Sequence, residues 1–308
     1  MARDAPFLSN VETLRGIIDA VPHPIFVKDS ESRFLMVNAA MCYFMGRRFD
    51  ELVGKLDQNF VPKGQAEIFQ ENDRNVLATG EINESEEPFS RDDGETRTIV
   101  TRKSRFVLSG GEPLLVGCIT DISDFRRAEA KIRHHAEHDH LTGLANRSLF
   151  TRQLEATLAD KPRRGESAAL LLLDLDGFKA VNDALGHAAG DNILVQAANA
   201  LTDLLGDVDN VARLGGDEFA IIQRAAPQPA AAIGVASAIV QRLAQPIFIG
   251  RKRAAVSASV GVALAKDSGS TREALLKNAD VALYAAKKDG RCCWKLFEPG
   301  MMDEVNAA

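Results

Sequence analysis

The chain has 308 residues, of which 45% are hydrophobic and 26% charged, and its formal net charge is −6. That length exceeds one ordinary core and suits two domains, and the composition is that of a soluble globular protein. The negative charge argues against a polymeric nucleic acid as the main partner. The longest unbroken apolar run, residues 168–173, is too short to span a bilayer. No charged-then-apolar leader is seen, since Arg3 and Asp4 precede a mixed segment, so a cytoplasmic protein with no membrane partner is expected. Cys42, Cys118, Cys292 and Cys293 form no C-x-x-C pair, which fits a reducing compartment, and Cys292 and Cys293 are expected to alternate across a strand.

Residues 11–20 read as a short amphipathic helix, followed by strand-like runs at 24–29 and 33–38 with a turn at Ser30, Glu31 and Ser32. Residues 66–78 form a helical stretch that stops at Gly80. Three more strand candidates alternate with turns at 92–94 and 109–111. This order, with Ile25-Phe26-Val27-Lys28-Asp29, Asn38, Gly54 and Asp121-Ile122-Ser123, resembles a PAS sensor domain over roughly residues 10–125. The resemblance implies a five-stranded antiparallel sheet that cups a small ligand or is filled by its own side chains. The ligand is left unknown. No flavin-type Asn-Cys-Arg segment occurs, and the helix over 66–78 has no histidine for a haem. Phe26, Phe34, Phe44, Phe60, Phe69, Phe89 and Phe106 are the candidates to line a pocket, with a solid core preferred.

Residues 125–137 are rich in Arg, Lys, Ala and Glu and lack Gly and Pro, which predicts a helix joining two domains. Phe125, Ala128, Ile132 and His135 or Ala136 recur at three- and four-residue spacing, enough for one side of a short coiled coil. His134, His135 and His138 share that stretch and are read as solvated helix residues rather than as a metal site.

In the second half, the apolar run at 168–173 leads straight into Asp174-Leu175-Asp176-Gly177-Phe178-Lys179. Carboxylates at the exit of a buried strand need partners or a hard cation. The alternative is that Asp174 or Asp176 caps the next helix. From Asp191 to Leu205 the apolar spacing is helical, with Asp191 suited to the N-terminal turn, as a simple N-cap or beside free backbone N–H groups that attract an anion. Residues 211–222 read as a hairpin around Gly215-Gly216-Asp217-Glu218, where glycines admit close backbone approach by a ligand. Lys287 and Arg291, four apart near the end of a helix after Thr271, are expected to point the same way.

Four separated motifs occur in order: Asp139-His140-Leu141-Thr142-Gly143-Leu144-Ala145-Asn146-Arg147; the stretch from Asp174 to Asp191; Gly215-Gly216-Asp217-Glu218-Phe219; and Tyr284-Ala285-Ala286-Lys287-Lys288-Asp289-Gly290-Arg291. Together they closely resemble the GGDEF family over residues 139–298. The resemblance implies an α+β chain, a PAS domain joined by a helix to a palm-like domain whose mostly antiparallel sheet is wrapped by helices. The implied domains are 1–123 (PAS), 124–138 (helical linker), 139–298 (GGDEF) and 299–308 (tail). The implied activity is diguanylate cyclase, in which two GTP become cyclic di-GMP and two pyrophosphates with two Mg2+ ions, or Mn2+ in their place, about 3.5–4 Å apart.

Carried over, Asp174, Asp217, Glu218 and the Leu175 carbonyl would hold metal. Asp217 would accept the hydroxyl proton, with Glu218 in support. Asn182, His187 and Asp191 would meet the guanine, while Gly215 and Gly216 would meet the α-phosphate and ribose. Lys179, Lys287 and Arg291 would hold the outer phosphates. A homodimer is implied, because each site holds a single GTP. The family's product-inhibition motif is broken, with Gly206 where its arginine stands and Asp209 retained. The tail from Phe297 resembles a link to an EAL phosphodiesterase domain outside this chain, with a frayed end as the other reading. The rival function is a silent GTP-binding module that controls such a domain.

Overall fold

A computed structural model describes residues 11–91, 94–160, 166–205, 210–249, 252–254, 256–265 and 271–301. The chain divides into two compact units, Met1–Lys131 and Ile132–Ala308.

The first unit runs α1 (Val11–Asp19), β1 (Ile25–Lys28), β2 (Phe34–Val37), α2 (Ala39–Met45), α3 (Phe49–Leu52), α4 (Lys63–Thr79), β3 (Asn83–Ser90), β4 (Thr96–Val107) and β5 (Pro113–Asp121). Its strands pair antiparallel in the order β2-β1-β5-β4-β3, the five-stranded sheet expected of the PAS resemblance. Asn38 explains the tight entry into α2. Its Oδ1 accepts from the Met41 and Ile25 amides, and its Nδ2 donates to the carbonyls of Ile18, Val21 and His23. Gly80, at φ +78°, ends α4 in the left-handed region that glycine adopts without strain.

Phe26, Phe34, Phe44, Phe69 and Phe89 are buried in one core with Leu115 and Ile119. Phe106, counted among the candidate lining residues, is instead 54% exposed. It sits near the end of β4, where the strand's burial alternation gives way to consecutive exposed residues. Beneath the aromatic cluster lies a set of buried ions. Lys28 Nζ donates to Asp57 Oδ2 (2.6 Å) and Asp73 Oδ2 (2.9 Å), and Lys103 Nζ donates to Asp73 Oδ1 (2.6 Å) and the Phe69 carbonyl (3.2 Å). Burial acts against the Lys28 charge, but the two carboxylates outweigh it and raise its pKa. The turn expected at 92–94 falls partly outside the described residues.

α5 (Ser123–Glu137) has no buried residue, and Phe125 and Ile132 stand exposed on it. The boundary between the two units falls within this helix. His134 and His138 stack, with ring centroids 4.1 Å apart, and among the described residues no three His, Cys, Asp or Glu side chains gather as a metal site.

The second unit continues with α6 (Arg147–Ala159), β6 (Glu166–Asp176), α7 (Phe178–Leu185), α8 (His187–Leu205), β7 (Asn210–Gly215), β8 (Glu218–Pro227), α9 (Ala230–Leu243), β9 (Ile247–Ile249), β10 (Lys252–Ala254), β11 (Ser257–Leu264), α10 (Arg272–Lys288) and β12 (Trp294–Leu296). Its main sheet has the order β12-β11-β6-β8-β7, antiparallel throughout except for the β11–β12 pair. β6 is central, and its two faces feed two cores. Leu171, Leu173 and Leu175 pack with Ile193, Ala197 and Ile239, while Leu170 and Leu172 pack with Phe150, Leu154 and Leu283. A strand buried on both faces is an unbroken apolar run, and each such leucine contributes about 1.5–3 kcal/mol. At Gly261 on β11, a Cβ would overlap the backbone of Ala279 and Leu283, so α10 rests directly on the strand there.

Four expectations are corrected. α8 starts at His187, so Asp191 is an exposed residue inside its second turn and not a cap; the break before it is made by Gly186, at φ +83°. α7 is capped by Gly177 with no side-chain bond, so neither Asp174 nor Asp176 caps it. α10 ends at Lys288, and Arg291 and Cys292 both have positive φ in the turn beyond it. Arg291 is therefore not one helical turn above Lys287, and Cys292 and Cys293 precede β12 instead of alternating along it. The altered inhibitory motif at Gly206 and Asp209 lies outside the described residues, as do residues 302–308 of the tail. Among the described residues no helix is long and apolar enough to cross a membrane.

Candidate active site

The acidic residues meet where β6 and β8 end side by side. Asp174 and Glu218 are cross-strand partners, and the Leu175 amide donates to the Asp217 carbonyl (3.2 Å). Leu175 itself is buried in the core, which anchors this corner, while Asp217 is half-buried. Burial first, and then the Asp174 carboxylate, push the Asp217 carboxyl above its ordinary range, with Lys287 and Arg213 pulling back only in part.

Each of the other two acids has a cation beside it. Lys287 Nζ lies 2.7 Å from Asp174 Oδ2, and Arg147 Nη2 lies 3.8 Å from Glu218 Oε2. The donors are hard oxygens of the kind that bind Mg2+ or Mn2+, and Asp174 and Asp217 are the residues that would hold such an ion. Among the described residues, though, no three His, Cys, Asp or Glu side chains are already gathered as a metal site.

The glycine turn is braced by the 139–147 segment, a role the motifs alone did not reveal. Arg213 donates from Nε and Nη2 to the Gly216 carbonyl (2.9 and 2.8 Å), and its Nη1 donates to Asp139 Oδ1 (2.9 Å). Burial would raise the Asp139 carboxyl, but hydrogen bonds from Thr142 and Arg213 outweigh it and hold the group low. Arg147 Nε adds a bond to the Leu214 carbonyl (3.3 Å). With Gly215 at φ +148° and Gly216 at φ +51°, a backbone that other residues rarely adopt is clasped from one side.

Asp176 was also missed as a functional residue. It is buried and accepts from Ser257 Oγ and Ser259 Oγ (2.8 Å each) and from the Cys292 amide (3.1 Å), with Arg291 Nε 4.0 Å away. It therefore ties the Arg291 turn to β6 and β11. The clue available was a second carboxylate at a buried strand's exit, two residues after the first.

The remaining candidates lie on α7 and α8. Asn182 Oδ1 is buried without a hydrogen-bond partner, and a Cβ at Gly190 would overlap it. The glycine thus keeps open the space beside an unsatisfied acceptor. Lys179, His187 and Asp191 are exposed, with no side-chain hydrogen bond or ion pair among the described residues. The structure brings Asp174, Asp217, Glu218 and Lys287 together. It keeps Arg291 on Asp176, apart from that group.

Residues 136–293, just over half of the chain, match the model of the diguanylate cyclase GGDEF domain. The chain belongs to the GGDEF family. Residues 18–127 match the PAS fold, so this is a PAS–GGDEF chain. It is 37% identical over 309 residues to an uncharacterized signaling protein of Caulobacter vibrioides, a match covering 96% of this chain and 36% of that one. Against the diguanylate cyclase TpbB of Pseudomonas aeruginosa it is 40% identical over 170 residues, 55% of this chain and 39% of the relative. It is also 31% identical over 295 residues to the cyclic di-GMP phosphodiesterase PdeR of Escherichia coli, 94% of this chain and 44% of that one. The chain therefore spans less than half the length of each of these curated relatives.

Among solved structures, the GGDEF domain of TpbB superposes with a TM-score of 0.52 at 38% identity, covering 55% of this chain and 99% of that one. The coiled coil and GGDEF domain of DgcB from Caulobacter crescentus, solved in complex with c-di-GMP, gives 0.53 at 28% identity, covering 57% and 93%. The Gly215-to-Phe219 turn is the GGDEF motif of this family, held at the junction of β7 and β8.

Proposed function

We propose that the chain condenses two GTP molecules into cyclic di-GMP, releasing two pyrophosphates, and that it acts as a cytoplasmic homodimer under PAS control. The reading rests on one observation above all: Asp174, Asp217 and Glu218 come together at one end of the sheet, where Asp174 pairs across from Glu218 and the Leu175 amide donates to the Asp217 carbonyl. In this reading Asp174, Asp217, Glu218 and the Leu175 carbonyl hold Mg2+, or Mn2+ in its place. When bound, the ion supplies charge stabilisation for the phosphoryl transfer and acidifies the attacking hydroxyl.

The chain's own residues supply the rest. A carboxylate oxygen of Asp217 takes the ribose 3′-hydroxyl proton, and Glu218 supports it. The oxygen of that hydroxyl bonds to the α-phosphorus of the facing GTP as the bond to pyrophosphate breaks. Asn182 Oδ1, buried and unsatisfied, accepts from the guanine edge. Asp191 adds a second acceptor and His187 lines the same pocket. Gly215 and Gly216 let the backbone approach the α-phosphate and ribose, with the turn held by Arg213. Lys179, Lys287 and Arg291 hold the outer phosphates, which requires Lys287 to leave Asp174.

We assign residues 1–123 to the PAS domain, 124–138 to the linker, 139–298 to the cyclase domain and 299–308 to the tail. The exposed Phe125 and Ile132 of α5 are where a second copy would pack. The test incubates the chain with GTP and Mg2+ and quantifies cyclic di-GMP and pyrophosphate, with Asp217→Ala as control. Metal-dependent product that the variant lacks supports the cyclase. GTP binding without product, both in the whole chain and in a forced dimer of residues 139–308, overturns it in favour of a silent regulatory module.

A further inference from the structure

Separate from the cyclase site, the first unit encloses a small cavity of about 30 Å³ beneath the sheet, bordered by Phe26, Phe34, Phe69 and Phe89. Five ionisable side chains also line it: Lys28, Lys103, Asp57, Asp73 and Glu87. All five are more than nine-tenths buried. Such a set is costly unless it is matched. The two ammoniums are already taken up by Asp57 and Asp73, whose carboxylates receive bonds of 2.6 to 2.9 Å from Lys28 and Lys103. Glu87 is the one carboxyl of the set that no lysine bonds; burial pushes it up, and Lys103, Thr101 and Ser85 pull it back only in part.

The hydrogen bonds give the same result. Glu87 Oε2 and Thr101 Oγ1 are both buried with no partner, and both residues line the cavity. What this space lacks is a donor for these oxygens, and a cation bearing N–H groups would also favour the charged form of Glu87. The surrounding phenylalanines favour a cation too, since ring faces attract one; Lys28 Nζ already sits 4.7 Å from the Phe34 ring centre. A space this small admits a molecule of a few heavy atoms and has no room for a flavin or a haem.

We infer that the first unit binds a small organic ammonium ion, whose N–H groups donate to Glu87 Oε2 and Thr101 Oγ1 and whose alkyl part rests among the phenylalanines. The ligand brings donors to the two unsatisfied oxygens, so binding stabilises the fold by mass action. An apolar molecule leaves both oxygens unsatisfied, and an anion would bring negative charge beside the buried Asp57 and Asp73.

The test titrates the whole chain with methylammonium and propylammonium chloride, following the unfolding temperature and calorimetric binding. Potassium chloride, sodium acetate and 1-propanol at matched concentration and ionic strength serve as comparison probes. The expected result is saturable binding of an alkylammonium with a rise in unfolding temperature, while the comparison probes are inert. Glu87→Gln keeps the side chain's size and should weaken binding by at least about tenfold. Thr101→Val, which keeps the carboxylate, should weaken it less, and it provides the comparison should Glu87→Gln fail to fold. The proposal is overturned if 1-propanol or potassium chloride acts as strongly as propylammonium, if neither variant weakens binding, or if no alkylammonium binds at tens of millimolar.

Discussion

Replacing Asp176 with alanine removes an acceptor from three donors at once. Ser259 is fully buried and cannot turn to water, so its hydroxyl is left unsatisfied. Ser257 and the Cys292 amide are only partly buried and regain solvent, so each forfeits little more than the net value of its bond. A bond to a charged acceptor contributes about 1.5–3 kcal/mol, and an orphaned buried donor costs about 1–3 kcal/mol. These come to about 4–9 kcal/mol, and no longer burying a carboxylate gives part of it back, so a loss of about 2–4 kcal/mol, confined to the second unit, is expected. Asp176→Asn keeps one acceptor oxygen and should lose roughly half of that. Trp294 is the chain's single tryptophan and lies just beyond the Arg291 turn, so its fluorescence in urea reads this unit directly. Because Asp176 also holds that turn, KM for GTP should rise more than kcat falls. A variant within about 0.5 kcal/mol of the parent, or a more stable one, would refute the reasoning, because the carboxylate would then be a tolerated burden and not an anchor.

Three further outcomes follow from the packing. Gly190→Ala should displace Asn182 and weaken GTP binding about tenfold or more, measured by calorimetry, while costing about 1–3 kcal/mol of stability. Gly261→Ala should cost at least that much, since the clash is with the backbone of α10 and no flexible side chain can yield; a thermal melt checks it. Asp73 has its carboxyl held low, burial being outweighed by Lys28 and Lys103, so the first unit gains stability above the unfolded-state pKa and loses it as pH falls through the folded-state value. Urea midpoints of that unit should therefore drop below about pH 4, and Asp73→Asn should weaken the dependence, leaving the share of Asp50, Glu86 and Asp121, while lowering stability by about 3–5 kcal/mol at neutral pH.

How legible these features were depends on whether the signal is local. The residue 168–173 run announced β6 because a strand buried on both faces has no polar alternation to obscure it. The paired glycines announced the hairpin because few other residues tolerate its backbone. Asp191 misled because an acid before an apolar helical spacing looks like a cap, whereas Gly186 makes the actual break. Arg291 misled because a four-residue spacing implies one helix, and the chain turns with positive φ before reaching it. The Asp139–Arg213–Gly216 clasp joins segments 74 residues apart and leaves no periodic trace. The buried ions of the first unit were illegible for a related reason. Lys28, Asp57, Asp73, Glu87 and Lys103 are scattered, and each alone reads as a solvated surface charge.

The acidic corner of the second unit shows how the chain's own cations offset such a charge cluster. Lys287 neutralises Asp174 and Arg147 stands by Glu218, which leaves Asp217 as the acid whose pKa rises. Lys287 then has two competing destinations, the Asp174 carboxylate and, under the proposed function, the outer phosphates of GTP. Removing it should separate two binding events that the native chain couples. In Lys287→Met, Asp174 and Asp217 face each other with no ammonium between them, so Mg2+ added without nucleotide should bind more tightly than in the parent chain. GTP, deprived of a phosphate contact, should bind more weakly, by about three- to tenfold for one partly exposed charge. Calorimetric titrations with Mg2+ alone and with GTP plus Ca2+ read the two effects separately. Shifts of opposite sign are the signature of a lysine that holds the metal site closed until nucleotide arrives. Weakening of both would mean that Lys287 positions Asp174 instead of occupying it.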